Sequence, residues 1–341
     1  MTFPDLAALK DFAGWKAARA PHAVGPGPDQ ESLRLAYLGL LKLALCDLTG
    51  TSTGSVSRRI DGSIASRELR GEDRRLRAGG IDWPLHGLTM VGLNRLDDLQ
   101  ACVESVVRDG VEGDLIEAGT WRGGAAILMR ATLDSLGATD RTVHVADSFK
   151  GFPAADEIGD LNANDFLAVP ADEVLDSFAR LGLDHGVEIV EGFFEQTLPA
   201  LETERWAVLR LDGDTYAATR AALDALYPRL AVGGYLIVDD YHAMTAEECR
   251  RAVDEFRAEH GIAEPLETVD WTCVRWRRED ATPIAAAAPR PAPAARAEAV
   301  ARPQAADVPT GRELDLEHKI AALQEQLHAR SWLRRLTGRA R

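Results

Sequence analysis

The sequence predicts an α/β fold: one seven-stranded, mostly parallel sheet with a terminal antiparallel hairpin, N-terminal helices and a C-terminal extension. Two observations carry that expectation. Apolar runs at 114–118, 143–147, 187–191, 206–212 and 234–239 alternate with amphipathic stretches long enough to be helices, the pattern of successive crossover units. Two further runs, 265–270 and 272–277, follow one another almost without a break and alternate apolar with polar residues, which reads as a hairpin.

The clearest unit runs from Trp206 to His242. Two strand-like runs each end in carboxylates; between them Ala221, Leu223, Leu226, Tyr227 and Leu230 recur at helical spacing, closed by Gly233 and Gly234. A right-handed crossover brings both strands out at one edge of the sheet, so Asp212 and Asp214 are expected beside Asp239 and Asp240. Crowded carboxylates cannot all stay ionised unless positive charge lies among them. A divalent cation answers this, and hard oxygen ligands suit Mg²⁺. The alternative is that Asp212 and Asp239 cap the helices that follow.

The preceding units supply a second set of candidates. In GDLIEAGTWRGGAAILMRATLDSL a strand ends near Glu117, and a turn from Gly119 to Gly124 opens a helix whose free amides favour an anionic group. Such a turn serves a dinucleotide, a nucleotide, S-adenosylmethionine, or only tight packing. The next strand ends in Asp147, where an acid accepts hydrogen bonds from a ribose diol or caps the following segment. Together the two favour a nucleoside-type ligand. Phe193 and Phe194 offer a surface for adenine, or belong to the core. The turn GTWRGG lacks the G-x-G-x-x-G spacing of a dehydrogenase.

Composition sets the outer bounds. The length of 341 residues suggests about two domains. No apolar run approaches the ~20 residues of a membrane span, and no secretory leader is evident, so a cytoplasmic protein is expected. A formal charge of −15 argues against a nucleic-acid partner. Cys46, Cys102, Cys249 and Cys273 are scattered without metal or redox spacing and read as buried thiols.

The chain divides into an N-terminal helical and lid region (1–80), a main domain (81–280), an Ala/Pro-rich linker (281–312), and a short coiled-coil-like helix with a basic tail (313–341). Within the first region an amphipathic segment, Phe3 to Trp15, precedes the apolar helix SLRLAYLGLLKLALCDL. The Ser-, Gly- and Arg-rich stretch 49–80 reads as an exposed, mobile loop able to order over a ligand. A helix is expected from about Asn94 to Arg108, another over 171–181, and another over 245–260.

Taken in order, LTMVGLNRLDDL, IEAGTWRGG, VADSFKGFP, EGFFEQTLP, RLDGDTY and YPRLAVGGYLIVDDY resemble the macrocin O-methyltransferase family of TylF- and MycF-like enzymes over about residues 80–277. The resemblance implies a class I methyltransferase (Rossmann-like) fold, S-adenosylmethionine as donor, Mg²⁺, and methylation of a sugar hydroxyl. It assigns Asp212, Asp239 and Asp240 to the metal. Glu117, Gly119, Thr120 and Gly123 fall to the cofactor turn and Asp147 to the ribose; Thr89 and Met90 fall to the methionine end, and Ser148 and Phe194 to the adenine. Asp212 is also the implied general base. Catechol-type relatives carry a lysine shortly after the first metal aspartate, whereas here Gly213, Asp214 and Thr215 follow Asp212.

The chemistry is consistent with these residues. A sugar hydroxyl is almost wholly protonated at neutral pH; binding a diol to Mg²⁺ lowers its pKa and fixes its oxygen, and Asp212, or His242 as second choice, accepts the proton. Two other readings stand beside this one: methylation of a non-sugar, catechol-like diol, and a noncatalytic scaffold for glycan-building enzymes. The basic tail reads as a peripheral tether near a membrane surface, a partner contact or a solvated tail, and the resemblance implies a homo-oligomer.

Overall fold

A computed structural model describes residues 29–58, 64–152, 167–201, 205–243 and 247–284. The amphipathic segment Phe3–Trp15, most of the acidic stretch after Gly151, the coiled-coil heptads and the basic tail lie outside the described residues. The elements below belong to one compact unit of residues 1–57 and 65–292; of a second unit, 58–64 and 293–341, only Arg58 and Ile64 are described.

The main sheet has the order β6-β5-β4-β7-β8-β10-β9. Its strands are β4 (Asp114–Ala118), β5 (Val143–Asp147), β6 (Val187–Glu191), β7 (Trp206–Leu211), β8 (Leu230–Val238), β9 (Glu267–Thr268) and β10 (Val274–Arg277). The first five pair in parallel and the last two are antiparallel, as the sequence predicts. Between them lie α4 (Gly124–Ser135), α5 (Ala171–Arg180), the single turn α6 (Phe194–Thr197), α7 (Tyr216–Leu226) and α8 (Glu247–His260).

Alternation along each strand divides the core in two. Leu115, Val143, Val145, Val208 and Ile237 pack on one face with α4 and with α3 (Gly92–Arg108); Ile116, Ala146, Leu209, Leu236 and Val238 pack on the other with α7 and α8. Both faces being covered, the central strand β7 is buried at every position and reads as a nearly continuous apolar run. The helix α1 (Gln30–Leu45), capped by Asp29 on the amide of Ser32, adds Leu38, Leu41 and Leu45 to the first face.

Two local expectations are corrected. Gly233 and Gly234 do not close a helix; α7 ends at Leu226 and both glycines lie inside β8. The register of β7 on β8 jumps from Trp206↔Leu230 to Val208↔Tyr235, and Gly233, with φ +86°, accommodates the irregularity. Nor is the described part of 49–80 an open loop. It forms β1 (Ser52–Arg58), β2 (Ile64–Arg70) and the short α2 (Arg74–Ala78), and β1 lies between β2 and β3 (Trp83–Pro84) in a small three-stranded sheet. Arginine content misleads here because Arg77 is fully buried. It donates to Asp82, to the hydroxyl of Thr53, and to the carbonyls of Cys46 and Gly54. The four cysteines are buried and free, as expected.

The second face is anchored by Trp276, which is fully buried and donates its indole N–H to the Tyr227 hydroxyl at 3.1 Å. Truncation of Trp276 to alanine removes one of the two fully buried tryptophans described on that face, Trp206 being the other, and is expected to destabilise the chain by roughly 3–5 kcal/mol in urea unfolding.

Candidate active site at the carboxyl edge of the sheet

The strand order reverses between β4 and β7, so the crevice outside their carboxyl ends is the natural ligand position. Backbone hydrogen bonds continue the ladder one residue past the strands: Gly192 to Asp147, Gly119 to Ala146, Asp212 to Ala118, and Asp239 to Leu211, all at 2.8–2.9 Å. That row brings Asp147, Gly119, Asp212 and Asp239 to one edge although they span 120 positions of the chain.

The glycine turn packs close to its neighbours. Gly119 has φ +93°, and a Cβ there would stand inside the carbonyl of Asp212. Gly123, at φ +82°, precedes α4, and Gly124 donates to the carbonyl of Leu88 at 2.9 Å, which brings the Thr89–Met90 segment against the helix start. Thr89 is buried there and Met90 is half-buried. Several amides of this turn, which the sequence predicts to be free for an anionic ligand, are instead taken up by the chain's own acids. Thr120 and Trp121 donate to Asp147 Oδ2 at 2.8 and 3.2 Å, and Ala126 donates to Glu117 Oε2 at 2.9 Å. Asp147 Oδ1 accepts from the amide of Phe149, so the acid ties two loops together at the position expected for a ribose contact. Ser148 donates to the carbonyl of Gly151 at 2.6 Å. Phe194 is buried with the core of the second face, and its ring lies 3.3 Å from where a Cβ on Gly213 would be.

The carboxylates meet as the crossover predicts. Asp212, Asp239 and Asp240 each present an oxygen within 4.8 Å of the others. None acts as the cap of α7, a place taken by the hydroxyl of Thr215 on the amide of Ala218. Two arginines not singled out from the sequence share the edge. Arg210, on β7, donates to Glu117 Oε1 at 2.6 Å, to Asp212 Oδ2 at 2.8 Å, and to Asp239 Oδ1. Arg95, on α3, donates to Asp239 Oδ2 and to the carbonyl of Gly80, and its Nε lies 3.0 Å from Asp270. Arg210 carried one sequence signal, a charge inside the apolar run WAVLRL; Arg95 carried none.

Charge at this edge does not balance. Five carboxylates, Glu117, Asp212, Asp239, Asp240 and Asp270, face two guanidiniums. Burial first, and then the charges of Asp214, Asp212 and Asp239, push the Asp240 carboxyl well above the usual range. Burial and Asp239 push Asp212 the same way against Arg210, and burial lifts Glu117 to about 7. The Asp240 Oδ2 atom is buried without a hydrogen-bond partner among the described residues. This hard-oxygen set with surplus negative charge and an orphaned oxygen fits a divalent cation. Asp239 has both oxygens engaged by arginines, yet each oxygen has a second lone pair, so the arginines orient it without excluding an ion.

His242 lies apart from this cluster. It is exposed, its ring stacks edge-on against Tyr241, and it makes no hydrogen bond to the trio among the described residues. Partial burial and the charge of Arg250 hold its imidazole below the ordinary value. Three non-glycine residues with positive φ, Trp121, Phe149 and Asp214, sit just beyond β4, β5 and β7, a concentration of strain typical of functional edges.

Comparison with known proteins decides the family. The model of the macrocin O-methyltransferase (TylF) family matches residues 55–278. The chain belongs to the TylF family. A Streptomyces olivaceus enzyme, the 8-demethyl-8-(2,3-dimethoxy-alpha-L-rhamnosyl)-tetracenomycin-C 4'-O-methyltransferase, is 45% identical over 74% of this chain and 96% of its own. The mycinamicin III 3''-O-methyltransferase of Micromonospora griseorubida is 45% identical over 71% of this chain and 96% of its own. The solved O-methyltransferase NovP aligns with a TM-score of 0.65 at 39% identity, covering 74% of this chain and all of that one. This TylF-family chain is therefore an S-adenosylmethionine-dependent O-methyltransferase with the class I fold.

Replacing Gly119 with alanine forces a Cβ into the Asp212 carbonyl on a backbone that disfavours side chains. The variant is expected to lose S-adenosylhomocysteine binding by more than about tenfold in calorimetry and to melt several degrees lower, by roughly 1–3 kcal/mol.

Proposed function

We propose that this enzyme transfers the methyl group of S-adenosylmethionine to a sugar hydroxyl of a glycoside or glycan, with Mg²⁺ held by Asp212, Asp239 and Asp240. The observation that carries the cation is the buried, unpartnered Asp240 oxygen between the charges of Asp212, Asp214 and Asp239. Support for a sugar acceptor comes from the relatives, whose names include a rhamnosyl tetracenomycin 4'-O-methyltransferase. The carboxylate trio by itself would serve a catechol-like diol equally well. A noncatalytic scaffold has no need of such a set, since crowding buried acids costs stability.

Bound donor and cation supply, respectively, an electrophilic methyl group and the Lewis acidity that lowers the pKa of a coordinated hydroxyl. The chain's own residues set the geometry. Asp147 fixes the turn at Thr120 and Trp121 and stands ready for the ribose; Glu117 fixes the start of α4 through the amide of Ala126. Thr89 and Met90, resting on that helix start, border the methionine end of the donor, and Ser148 and Phe194 border the adenine. Rate then depends mainly on alignment of the acceptor oxygen with the methyl carbon. Asp212 accepts the hydroxyl proton on Oδ1, the oxygen to which Arg210 does not donate. His242, exposed and neutral at pH 7, is the second choice.

Two measurements test this. Asp240→Asn keeps the shape of the side chain and removes its charge; transfer to a panel of glycosides is expected to fall on the order of 10²- to 10³-fold while S-adenosylhomocysteine binding changes less than about threefold. Chelation should abolish wild-type transfer and added Mg²⁺ should restore it; undiminished turnover in excess chelator would remove the cation from the mechanism.

A further inference from the structure

We infer that Arg210 is a positioning residue that couples the donor-binding turn to the carboxylate trio, so that the affinity of the trio for a cation depends on Glu117. The inference rests on the cation reading given above. Its basis is a single side chain that bridges three strands of the sheet. Arg210 Nη1 serves Glu117 Oε1 at the end of β4 and Asp212 Oδ2 just past β7, while Nη2 serves Asp239 Oδ1 just past β8. All three pairs are formed by one guanidinium whose side chain is 2% exposed, so solvent neither screens nor replaces it.

Each end of the bridge holds something that binds. The other oxygen of Glu117, Oε2, accepts from the Thr120 hydroxyl at 3.1 Å and the Ala126 amide at 2.9 Å, which fixes the turn and the first residues of α4. Asp212 and Asp239 belong to the trio. The far oxygen of Asp239 is held by Arg95, itself engaged with Gly80 and Asp270, so Asp239 is clamped from the side opposite Arg210. Arg210 divides one positive charge among three acids. When Glu117 carries its charge, less of the guanidinium is committed to Asp212 and Asp239, and the trio attracts a cation strongly. When Glu117 loses its charge, the guanidinium falls wholly to Asp212 and Asp239 and competes with the cation for them. Only a planar fork with several N–H donors can make these contacts at once; a lysine ammonium keeps the charge and loses the bridge.

The test uses Mn²⁺ as the probe, its free fraction followed by electron paramagnetic resonance, and S-adenosylhomocysteine binding by calorimetry, each on the full chain. Glu117→Gln lies outside the trio and is expected to weaken Mn²⁺ uptake about fivefold. Arg210→Lys is expected to weaken S-adenosylhomocysteine about tenfold, although Arg210 reaches the turn only through Glu117. A residue that merely stabilised the fold would lower the melting temperature of Glu117→Gln and leave Mn²⁺ affinity of the folded fraction unchanged. Wild-type Mn²⁺ affinity in folded Glu117→Gln overturns the coupling and leaves the cation site standing; should that variant not fold, undiminished S-adenosylhomocysteine affinity in Arg210→Lys overturns it instead. A wild-type chain that takes up no Mn²⁺ removes the cation site, and the inference falls with it.

Discussion

The site is organised by the geometry of a parallel ladder that leaves no choice about where its charges go. Strand pairing continues to the first residue beyond β4, β7 and β8, so the positions of Gly119, Asp212 and Asp239 are set by backbone hydrogen bonds before any side chain is considered. Acids delivered to such an edge cannot spread apart to relieve their repulsion. The repulsion is met by arginines driven into the sheet interior, one from β7 itself and one from α3. Buried ion pairs of this kind contribute little net stability, because desolvating each charge offsets most of the attraction. What they contribute is orientation: two guanidiniums fix Asp239, and one of them reaches Glu117 beside the glycine turn as well.

The glycine turn obeys the same constraint in a different way. The turn after β4 has to pass within contact distance of the Asp212 carbonyl, which only a glycine at 119 permits. The following residues are then forced into unfavourable backbone regions, with Trp121 at φ +50° and, in the next strand's loop, Phe149 at φ +55°. Asp147 offsets this strain by accepting from both loops, taking the amides of Thr120, Trp121 and Phe149. A carboxylate that holds three amides is itself held in place, and the two loops are fixed to one another through it. Strain, glycine and acid thus act as one unit.

Much of this was legible in the sequence, and the reasons for the remainder are physical. Strand positions were readable because burial on both faces of a parallel sheet leaves short apolar runs, and the clusters EAG, VAD, RLDGD and VDDY mark where those runs end. Topology then did the rest, since parallel strands share a carboxyl edge. The use of the turn amides was not legible: whether an N–H faces a ligand or a neighbouring carboxylate depends on loop path, and Asp147 reaches the turn from another strand. Arg95 was invisible because its partners Asp239 and Asp270 lie far along the chain. The pairing of β1 with β2 was hidden by composition. Arginine and serine usually indicate a solvated loop, but a fully buried Arg77 with four sets of internal acceptors satisfies the same residues inside.

The neighbouring aspartates at the end of β8 show how far a single sequence position can change a residue's part. Asp239 still belongs to the ladder, its amide bonded to Leu211, and its side chain is taken up by Arg95 and Arg210. Asp240 is one residue beyond, outside the ladder and outside the reach of either arginine's hydrogen bonds among the described residues, with one oxygen buried and unpartnered. A carboxylate in that position is destabilised unless it is protonated or matched by positive charge from solution, because burial and three neighbouring acids all disfavour its charged form. The two aspartates therefore divide the work of the edge: Asp239 is held in place by charges the protein carries, and Asp240 presents the charge for which the protein carries no partner.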